Sequence, residues 1–403
     1  MVCADNFFTN ANDNIEHLLP DRIGPAMLAD IKRAVSRTLV RTTTASRAFA
    51  GADWSEVMPS ESVEFADVAA PPFAPEAGHL DPKRFSTPLA VTAPVRGALY
   101  YSYLNVLLTP QRGIVLETDN TCLEWGDKSA ADVFYWRNLY FKQIEDIPGV
   151  SFALRSAANN FYHTLVDNLP RLYALHDTRY RDTQIELLVP GSLRPYEQYF
   201  LNRMLPESVR IRKVECNRLY RPATIVFSSF LSRPLSGYLP RKYLEFFRER
   251  TLPSRPRQKR HRIYITRKDT AVGRRILNEG ELIRVAEQFG FQSHTLEGMS
   301  LAAQIELFFD AEAVLAPHGA GLTNLLFSDH VGVVELHPTP TAFPHYYFLS
   351  QALGHRYRCV CSNAPIRHSD FTVDVKAVGA CLADILGART PVGVGGVSAL
   401  KRN

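Results

Sequence analysis

The chain of 403 residues lacks the segments by which secreted, membrane-spanning and disulfide-bonded proteins are recognised. No apolar run approaches the ~18 residues that a transmembrane helix needs. The stretch Met1–Asn14 is polar and acidic, whereas a secretory signal is basic and then apolar. The six cysteines are dispersed without a Cys-x-x-Cys pair, which disfavours a disulfide framework or a metal site. We therefore expect a cytoplasmic protein with reduced thiols.

The common motifs for nucleotide cofactors and nucleophiles are also missing. No Gly-x-Gly-x-x-Gly follows a strand, which argues against a dinucleotide oxidoreductase, and no Gly-x-x-x-x-Gly-Lys-Ser/Thr is present, which excludes a P-loop NTPase. The Gly-x-Ser-x-Gly elbow of hydrolases is absent. So is Asp-x-Asp, the usual metal-bridged clamp for a diphosphate. Arginines and helix N-termini would have to meet a diphosphate's charge, so no metal and no other cofactor is expected.

The composition is that of an ordinary globular protein, with 46% hydrophobic and 22% charged residues. A net charge of +5 suits an anionic small molecule without requiring nucleic acid. The densest basic run is best interpreted as a solvated linker, and a nucleic-acid or lipid patch is the weaker alternative. The run consists of Arg255, Arg257, Lys259, Arg260 and Arg262.

Strand and helix patterns alternate from Val150 and start afresh at Arg262, after the charged, proline-containing stretch Leu252–His261. Such alternation predicts an α/β fold with two Rossmann-type parallel sheets. The pattern predicts helices over Ile23–Val40, Asn160–His176, Pro195–Met204, Leu301–Phe309 and Val375–Leu386, and strands over Ile185–Pro190 and Val209–Val214. We expect an irregular N-terminal extension (1–94), a first Rossmann-like domain with a hairpin turning at 109–112 (95–252), a second Rossmann-like domain (253–387) and a flexible tail (388–403).

The most informative stretch is Ala316–Asn324, which follows the apolar run Ala313–Leu315. The pattern predicts a buried strand, a tight turn and a helix start, an arrangement that points several backbone N–H groups at one spot. Gly319 and Gly321 lack a Cβ and allow close approach of a ligand. A phosphate or diphosphate suits such a helix N-terminus. An ordinary strand-to-helix turn is the alternative.

A second stretch places Asn160, His163 and Asp167 at helical spacing, followed by Arg171. His163 and Asp167 are four residues apart and share one face of a helix. A histidine and a carboxylate that converge in this way can form a general-base pair. The alternative is a contact that only stabilises a surface helix.

Two further strand ends carry charged residues. Arg267 follows the predicted strand at Arg262–Thr266, and Arg275 comes after a short loop. Arginines in such places can bind phosphate oxygens in a forked geometry. Glu335 lies within the predicted strand Val331–Leu336, near its end, where nucleotide-binding sheets often present an acid to a ribose hydroxyl. Solvent-exposed arginines and a plain strand-end acid are the alternatives.

Taken in order, these motifs resemble those of glycosyltransferase family 61. The resemblance rests on Asn160-Phe-Tyr-His163-x-x-x-Asp167-x-x-Pro-Arg171, Arg262-Ile-Tyr-Ile-Thr-Arg267, Arg275-x-x-Asn-Glu279, Ala316-Pro-His-Gly-Ala-Gly-Leu-Thr-Asn324 and Val334-Glu-Leu336. It covers roughly residues 95–362. Two departures, Thr164 where the family often has Trp and Thr266 where it usually has Ser, bear on the choice of donor more than on activity.

The resemblance implies a GT-B-like architecture, with two Rossmann-type domains facing a cleft. It also implies inverting transfer of a sugar from a nucleoside-diphosphate donor, with UDP-sugars foremost, to a saccharide or glycan acceptor. Since no signal or anchor is visible, the bacterial type is expected, a cytoplasmic enzyme of surface or capsular polysaccharide synthesis at the inner face of the membrane. Peripheral membrane association and the oligomeric state stay open. No nucleic-acid partner is expected.

The resemblance also assigns roles to residues. Those expected to bind the donor are Arg267, Arg275, His318, Gly319, Ala320, Gly321, Asn324 and Glu335. Asp167 or His163 is expected to be the catalytic base, and the sequence does not choose between them. Asn160 and Arg171 either contact the acceptor or are structural. A non-catalytic protein that binds nucleotide sugars or polysaccharides with the same fold is the alternative function.

Overall fold

The computed structural model describes residues 42–65, 70–118, 142–156, 160–233, 236–268, 273–364 and 370–387. The helix predicted over Ile23–Val40, the cysteines Cys3 and Cys122, and the tail 388–403 lie outside these residues.

The strands follow one another closely along the described chain. They are β1 (Thr42–Thr43), β2 (Ser55–Met58), β3 (Ser62–Glu64), β4 (Arg84–Ser86), β5 (Ala90–Val95), β6 (Leu99–Tyr101), β7 (Val106–Leu108), β8 (Ile114–Val115), β9 (Ile144–Ala153), β10 (Ile185–Pro190), β11 (Val209–Val214), β12 (Leu219–Ser228), β13 (His261–Ile265), β14 (Gln292–His294), β15 (Ala311–Pro317), β16 (Gly332–His337) and β17 (Arg356–Cys361).

The α-helices alternate with the later strands. They are α1 (Ala45–Ala48), α2 (Phe161–His163), α3 (Leu169–Arg171), α4 (Pro195–Met204), α5 (Arg241–Thr251), α6 (Glu279–Gln288), α7 (Leu301–Phe309), α8 (His345–Leu353) and α9 (Val375–Leu386). The described chain also contains a π turn (Thr164–Asn168) and several 3-10 helices. Two of these are Leu172–His176 and Ala320–Phe327. Within the described chain, no helix is both long enough and apolar enough to cross a bilayer.

The described residues group into two compact units, one within 1–60 and 88–234 and the other within 61–87 and 235–403. The segment 61–87, expected to belong to the N-terminal extension, therefore folds with the second unit. Its aromatic side chains explain why, because Phe73 and Phe85 both contact the Phe348 ring, with centroids 5.8 and 5.2 Å away. Buried aromatic side chains contribute strongly to packing energy, and here these contacts determine which unit the segment joins.

The first unit contains a mixed sheet whose central strands β12, β9, β10 and β11 run parallel in that spatial order. The predicted hairpin forms, since Leu108 pairs with Ile114 across the turn at 109–112. Before it, β6 and β7 are joined by a turn in which Asn105 has a φ of 58°. Strand β10 is almost wholly buried, as expected of a parallel strand covered on both faces.

The second unit contains a sheet of five parallel strands in the spatial order β14, β13, β15, β16, β17. One face packs against α6 and α9 through a buried apolar cluster that includes Leu282, Leu315, Leu336 and Leu382. The predicted α/β class is confirmed, and the sheet of the second unit is parallel throughout, whereas that of the first unit also contains antiparallel strands.

The basic run expected to be a solvated linker is instead bonded to the second unit. Arg255 donates to both carboxylate oxygens of the buried Asp310 at 3.0 Å and holds the pKa of that carboxyl below its usual range. Arg257 donates to the carbonyls of Phe309 and Phe327 at 2.7 and 2.8 Å. These two arginines therefore hold the chain just before β13 against the second unit. They do not contribute to a basic surface patch.

Acid should destabilise the second unit through His355. This side chain is buried, accepts a hydrogen bond from the Val331 N–H at 3.3 Å and lies 3.1 Å from the Ser328 hydroxyl. Burial lowers the pKa of His355 to about 3, whereas an unfolded histidine takes up a proton near pH ~6.5. The contribution of His355 to the free energy of unfolding is therefore complete above pH ~6.5. It falls by up to ~1.4 kcal/mol for each pH unit below that value.

Urea unfolding between about pH 7 and 4.5 tests this expectation on wild type and His355→Asn. Asparagine can keep the acceptor for Val331 and does not titrate, so the variant should show a shallower loss of stability with acid. Equal slopes in the two proteins would show that His355 is not the group responsible.

Candidate active site

In the second unit, the order of the strands reverses between β13 and β15. The chain leaves β13, adds β14 on one side and then builds β15, β16 and β17 on the other. A crevice for ligands forms where such a reversal separates the connections at the carboxyl ends of the strands. Arg267 follows β13 at this edge, and His318 and Gly319 follow β15. Two motifs that lie far apart in the sequence therefore meet at one place.

Arg267 lies directly over the Gly319 backbone. A Cβ at residue 319 would overlap the Arg267 Nη1 atom, at the end of a flexible side chain, so glycine lets the guanidinium lie against this turn. Gly319 has an extended φ of 166°, which any residue can adopt, so the backbone conformation is not the reason. The guanidinium is half-buried, and burial lowers the pKa of Arg267 against the opposing effect of Glu297. The contact places the Arg267 cation against the Gly319 turn, which is the combination expected of a donor site.

The turn leads into a 3-10 helix, Ala320–Phe327, where an α-helix start was expected. The Leu322 N–H donates to the Gly319 carbonyl at 3.0 Å and closes the first turn. The amides of Ala320 and Gly321 precede this first bond of the ladder, in the position from which helices bind anions. The buried Asn324 donates from its side-chain amide to the Gly321 carbonyl at 2.9 Å, which braces the turn.

Glu335, expected to meet a ribose, is fully buried in β16. One carboxylate oxygen lies 2.5 Å from His318 Nδ1, and the other accepts the Tyr357 hydroxyl at 2.7 Å. Burial raises the pKa of Glu335, while His337 and the Tyr357 hydrogen bond act to lower it. The carboxylate's observed contacts are thus with protein groups, and the ribose contact stays a prediction.

Arg274 and Arg275 are adjacent in the sequence. Arg275 was expected to bind the donor, but in the structure it is Arg274 that acts on residues of the site. Arg275 is exposed and donates through Nε and Nη2 to the same Asp370 oxygen, at 2.9 and 2.7 Å. Burial raises the pKa of Glu335 and of Tyr346, and the charge of Arg274 acts against that rise in both. Arg274 has a left-handed φ of 61°, which turns consecutive side chains apart. The sequence pattern alone carries no signal that distinguishes the two.

The order of strands also reverses in the first unit, between β9 and β12. The helix predicted over Asn160–His176 begins there but is broken into α2, a π turn, α3 and a 3-10 helix. Asn160 caps the first piece, since its side-chain oxygen accepts the His163 N–H at 3.0 Å. A π turn inside a helix is rare and is found frequently at functional sites.

His163 and Asp167 make the predicted side-chain contact. Nδ1 of the histidine lies 2.6 Å from a carboxylate oxygen of Asp167. The histidine is buried and the aspartate is half-buried, so the pair retains access to solvent on the aspartate side. The contact fixes the histidine tautomer and supplies two candidate bases, the second imidazole nitrogen and the carboxylate. The catalytic role of either residue stays a prediction.

Arg171 ties this helix to the sheet. Its guanidinium lies 5.4 Å from the Phe152 ring centre and 5.1 Å from that of Phe230, and its Nε donates to the Ser228 carbonyl at 3.2 Å. Burial lowers the pKa of Arg171 to about 10, and the nearby Asp167 acts in the opposite direction. The contacts support the structural alternative for Arg171, with an added electrostatic effect on Asp167.

One cluster in the second unit has the residue types of a metal site. Ligating atoms of His318, Glu335 and His337 lie within 4.8 Å of one another. Two ligands of a tetrahedral zinc ion would be about 3.3 Å apart, given metal–ligand distances near 2.0 Å. The 2.5 Å between His318 and Glu335 is instead a short, charge-assisted hydrogen bond. The geometry of this cluster therefore fits a group of hydrogen-bonded side chains better than a tetrahedral zinc site.

Comparison with known proteins identifies the family. A model of the family described as Glycosyltransferase 61 matches residues 161–334, which hold both the His163–Asp167 pair and the Arg267–Gly319 contact. Two rice (Oryza sativa subsp. japonica) proteins are each 25% identical to the chain, the β-1,2-xylosyltransferase XAX1 over 214 residues and the β-1,2-xylosyltransferase XYXT1 over 207. The aligned parts are 47% and 45% of this chain but only 36% and 43% of the relatives' own lengths. The match assigns a glycosyltransferase family 61 domain to residues 161–334 of the chain.

Proposed function

We propose that the protein is an inverting glycosyltransferase that moves a sugar from a nucleoside-diphosphate donor, UDP being the expected nucleotide, to a saccharide hydroxyl. The observation that carries the proposal is the packing of Arg267 against the Gly319 turn, where the strand order of a parallel sheet reverses. The family match supports the reaction class. The xylosyltransferase names of the two rice relatives make UDP-xylose the first donor to try.

In this proposal, the leaving diphosphate binds at the Gly319 turn. Arg267 neutralises charge, the amides of Ala320 and Gly321 donate to phosphate oxygens, and His318 donates from its ring. Donors fixed before the reaction stabilise developing charge without reorganisation. A guanidinium and a helix N-terminus are sufficient for this purpose, so we propose that no metal ion is needed.

The His163–Asp167 pair is proposed to serve the acceptor. One of the two takes the proton of the acceptor hydroxyl while the acceptor oxygen bonds to the anomeric carbon from the face opposite the diphosphate. The bond from that carbon to the diphosphate oxygen breaks at the same time, and the nucleotide leaves with the negative charge. A single displacement of this kind inverts the anomeric centre.

Three further parts of the proposal rest on the resemblance. They are a GT-B arrangement of the two units, a role in surface or capsular polysaccharide synthesis, and a location at the inner face of the cytoplasmic membrane.

Gly319→Ala should weaken nucleotide binding without unfolding the protein. The added methyl meets the Arg267 guanidinium, so either the arginine or the turn must shift. We expect UDP affinity measured by calorimetry to fall at least tenfold, since loss of a charge-assisted hydrogen bond costs ~1.5–3 kcal/mol. Gly280→Ala is the matched control, because a Cβ at this exposed position in α6 meets no atom within 4 Å. Equal affinities in both variants would remove Arg267 and Gly319 from the donor site.

Asp167→Asn should abolish transfer while leaving UDP binding within about twofold of wild type. Removal of a general base lowers the turnover number by ~10²–10⁴. Asp146→Asn is the matched control, since this carboxylate bonds to Arg221 on the surface of the same unit. The anomeric configuration of the product, read by NMR, tests inversion. Loss of UDP binding and of folding together in Asp167→Asn would make the residue structural.

A further inference from the structure

Behind the Gly319 turn lies a chain of buried hydrogen bonds, here called the Glu335 relay, consisting of His318, Glu335, Tyr357 and His337. The Tyr357 hydroxyl donates to Glu335 at 2.7 Å, and the opposite carboxylate oxygen lies 2.5 Å from His318 Nδ1. His337 Nε2 lies 3.3 Å from the Tyr357 hydroxyl. His318 belongs to the turn itself, whereas the other three side chains are fully buried in β16 and β17.

A fully buried carboxylate is costly unless its charge is compensated, and Glu335 is compensated from two sides. Burial raises the pKa of Glu335, and the hydrogen bond from Tyr357 acts against that rise. Because Glu335 has no exposed surface, it can affect a ligand only through the residue that it holds. The His318 ring is that residue, and it is only 13% exposed.

We propose that Glu335 and Tyr357 are positioning residues that keep one shared proton on the Glu335–His318 pair, so that His318 presents an N–H to the diphosphate. The inference rests on the proposed donor site. When the proton is on the ring, Glu335 holds an imidazolium through Nδ1. When it is on the carboxyl, Glu335 donates to Nδ1, and the ring carries its own proton on Nε2. In both cases His318 is a hydrogen-bond donor, and it ceases to be one when the shared proton is lost.

Other charged and titratable groups act on the pair. They are His337 on β16, Cys359 on β17, His345 and Tyr346 on α8, Arg274 in the loop before α6, and Arg267 over Gly319. The two cationic groups among them, Arg267 and Arg274, oppose a charged His318. The Glu335 carboxylate is in direct contact with the ring, and its attraction outweighs charges that act over longer distances.

The test measures the dissociation constant of UDP by calorimetry between about pH 5.5 and 8.5, in the range where histidines titrate. Each variant is compared with wild type at every pH, so that titration of the UDP phosphate cancels. Glu335→Gln should remove the loss of affinity at high pH, because the glutamine amide can donate to Nδ1 at every pH and keep the neutral ring as an Nε2–H donor. Tyr357→Phe should raise the pH at which affinity is lost, because the carboxylate loses a donor and becomes more basic.

Tyr264→Phe is the matched control for Tyr357→Phe. Tyr264 is also buried, and its hydroxyl also donates to a carboxylate in the same unit, that of Glu279 at 2.7 Å. This variant should leave the midpoint of the pH curve in place. Thermal unfolding of each variant shows whether it is folded, and Tyr357→Phe alone decides the matter if Glu335→Gln does not fold.

A flattened pH curve in Glu335→Gln together with a raised midpoint in Tyr357→Phe supports the relay. Parallel curves, in which the variants bind more weakly at every pH without a shift, would overturn it and leave the donor site intact. Absence of UDP binding by wild type at all pH values would instead overturn the proposed function, and the inference with it.

Discussion

Each of the two sheets reverses the order of its parallel strands once, and the candidate chemistry lies at those two points. The connections from neighbouring strands leave in opposite directions there, which opens a crevice and exposes backbone and side-chain groups that are covered elsewhere in a parallel sheet. In the first unit this point is occupied by the His163–Asp167 pair, and in the second by the packing of Arg267 on Gly319. The rest of the fold serves to hold these groups rigidly at the edges of the sheets.

Rigidity at both points comes from buried polar groups whose hydrogen bonds are specific. Arg171 is held by the Phe152 and Phe230 rings and interacts with the charge of Asp167, while Glu335 is held by Tyr357 and contacts His318. Burying charge is unfavourable in itself, so such groups contribute little to net stability. They do fix the tautomer and direction of the histidine or carboxylate above them, which is what a reacting group requires.

The sequence predicted the regular elements well where both burial and turn signals were present. The bounds of the strand Ile185–Pro190 and of the helices Pro195–Met204 and Val375–Leu386 agree with the structure. It also predicted that His163 would meet Asp167, because spacing on a helix determines that contact.

Three features lay beyond sequence pattern, each for a physical reason. Packing of the segment 61–87 on the second unit depends on aromatic contacts over long sequence separations. The π turn at Thr164–Asn168 gives no periodic signal, because a segment of five residues is too short to establish a period. Strand β16 is buried on both faces, so alternation could not show that Glu335 points into the protein, toward His318 and Tyr357.

The most direct test of the account is thermal unfolding of wild-type protein with UDP, GDP, CDP, CMP and NAD, each with and without EDTA. A ligand present at about 100 times its dissociation constant adds ~2.7 kcal/mol to the stability of the folded state. The account predicts that one nucleoside diphosphate, UDP, raises the unfolding temperature and that EDTA does not change this rise. Stabilisation by NAD alone, or by none of the nucleotides, would contradict a diphosphate site at the Gly319 turn.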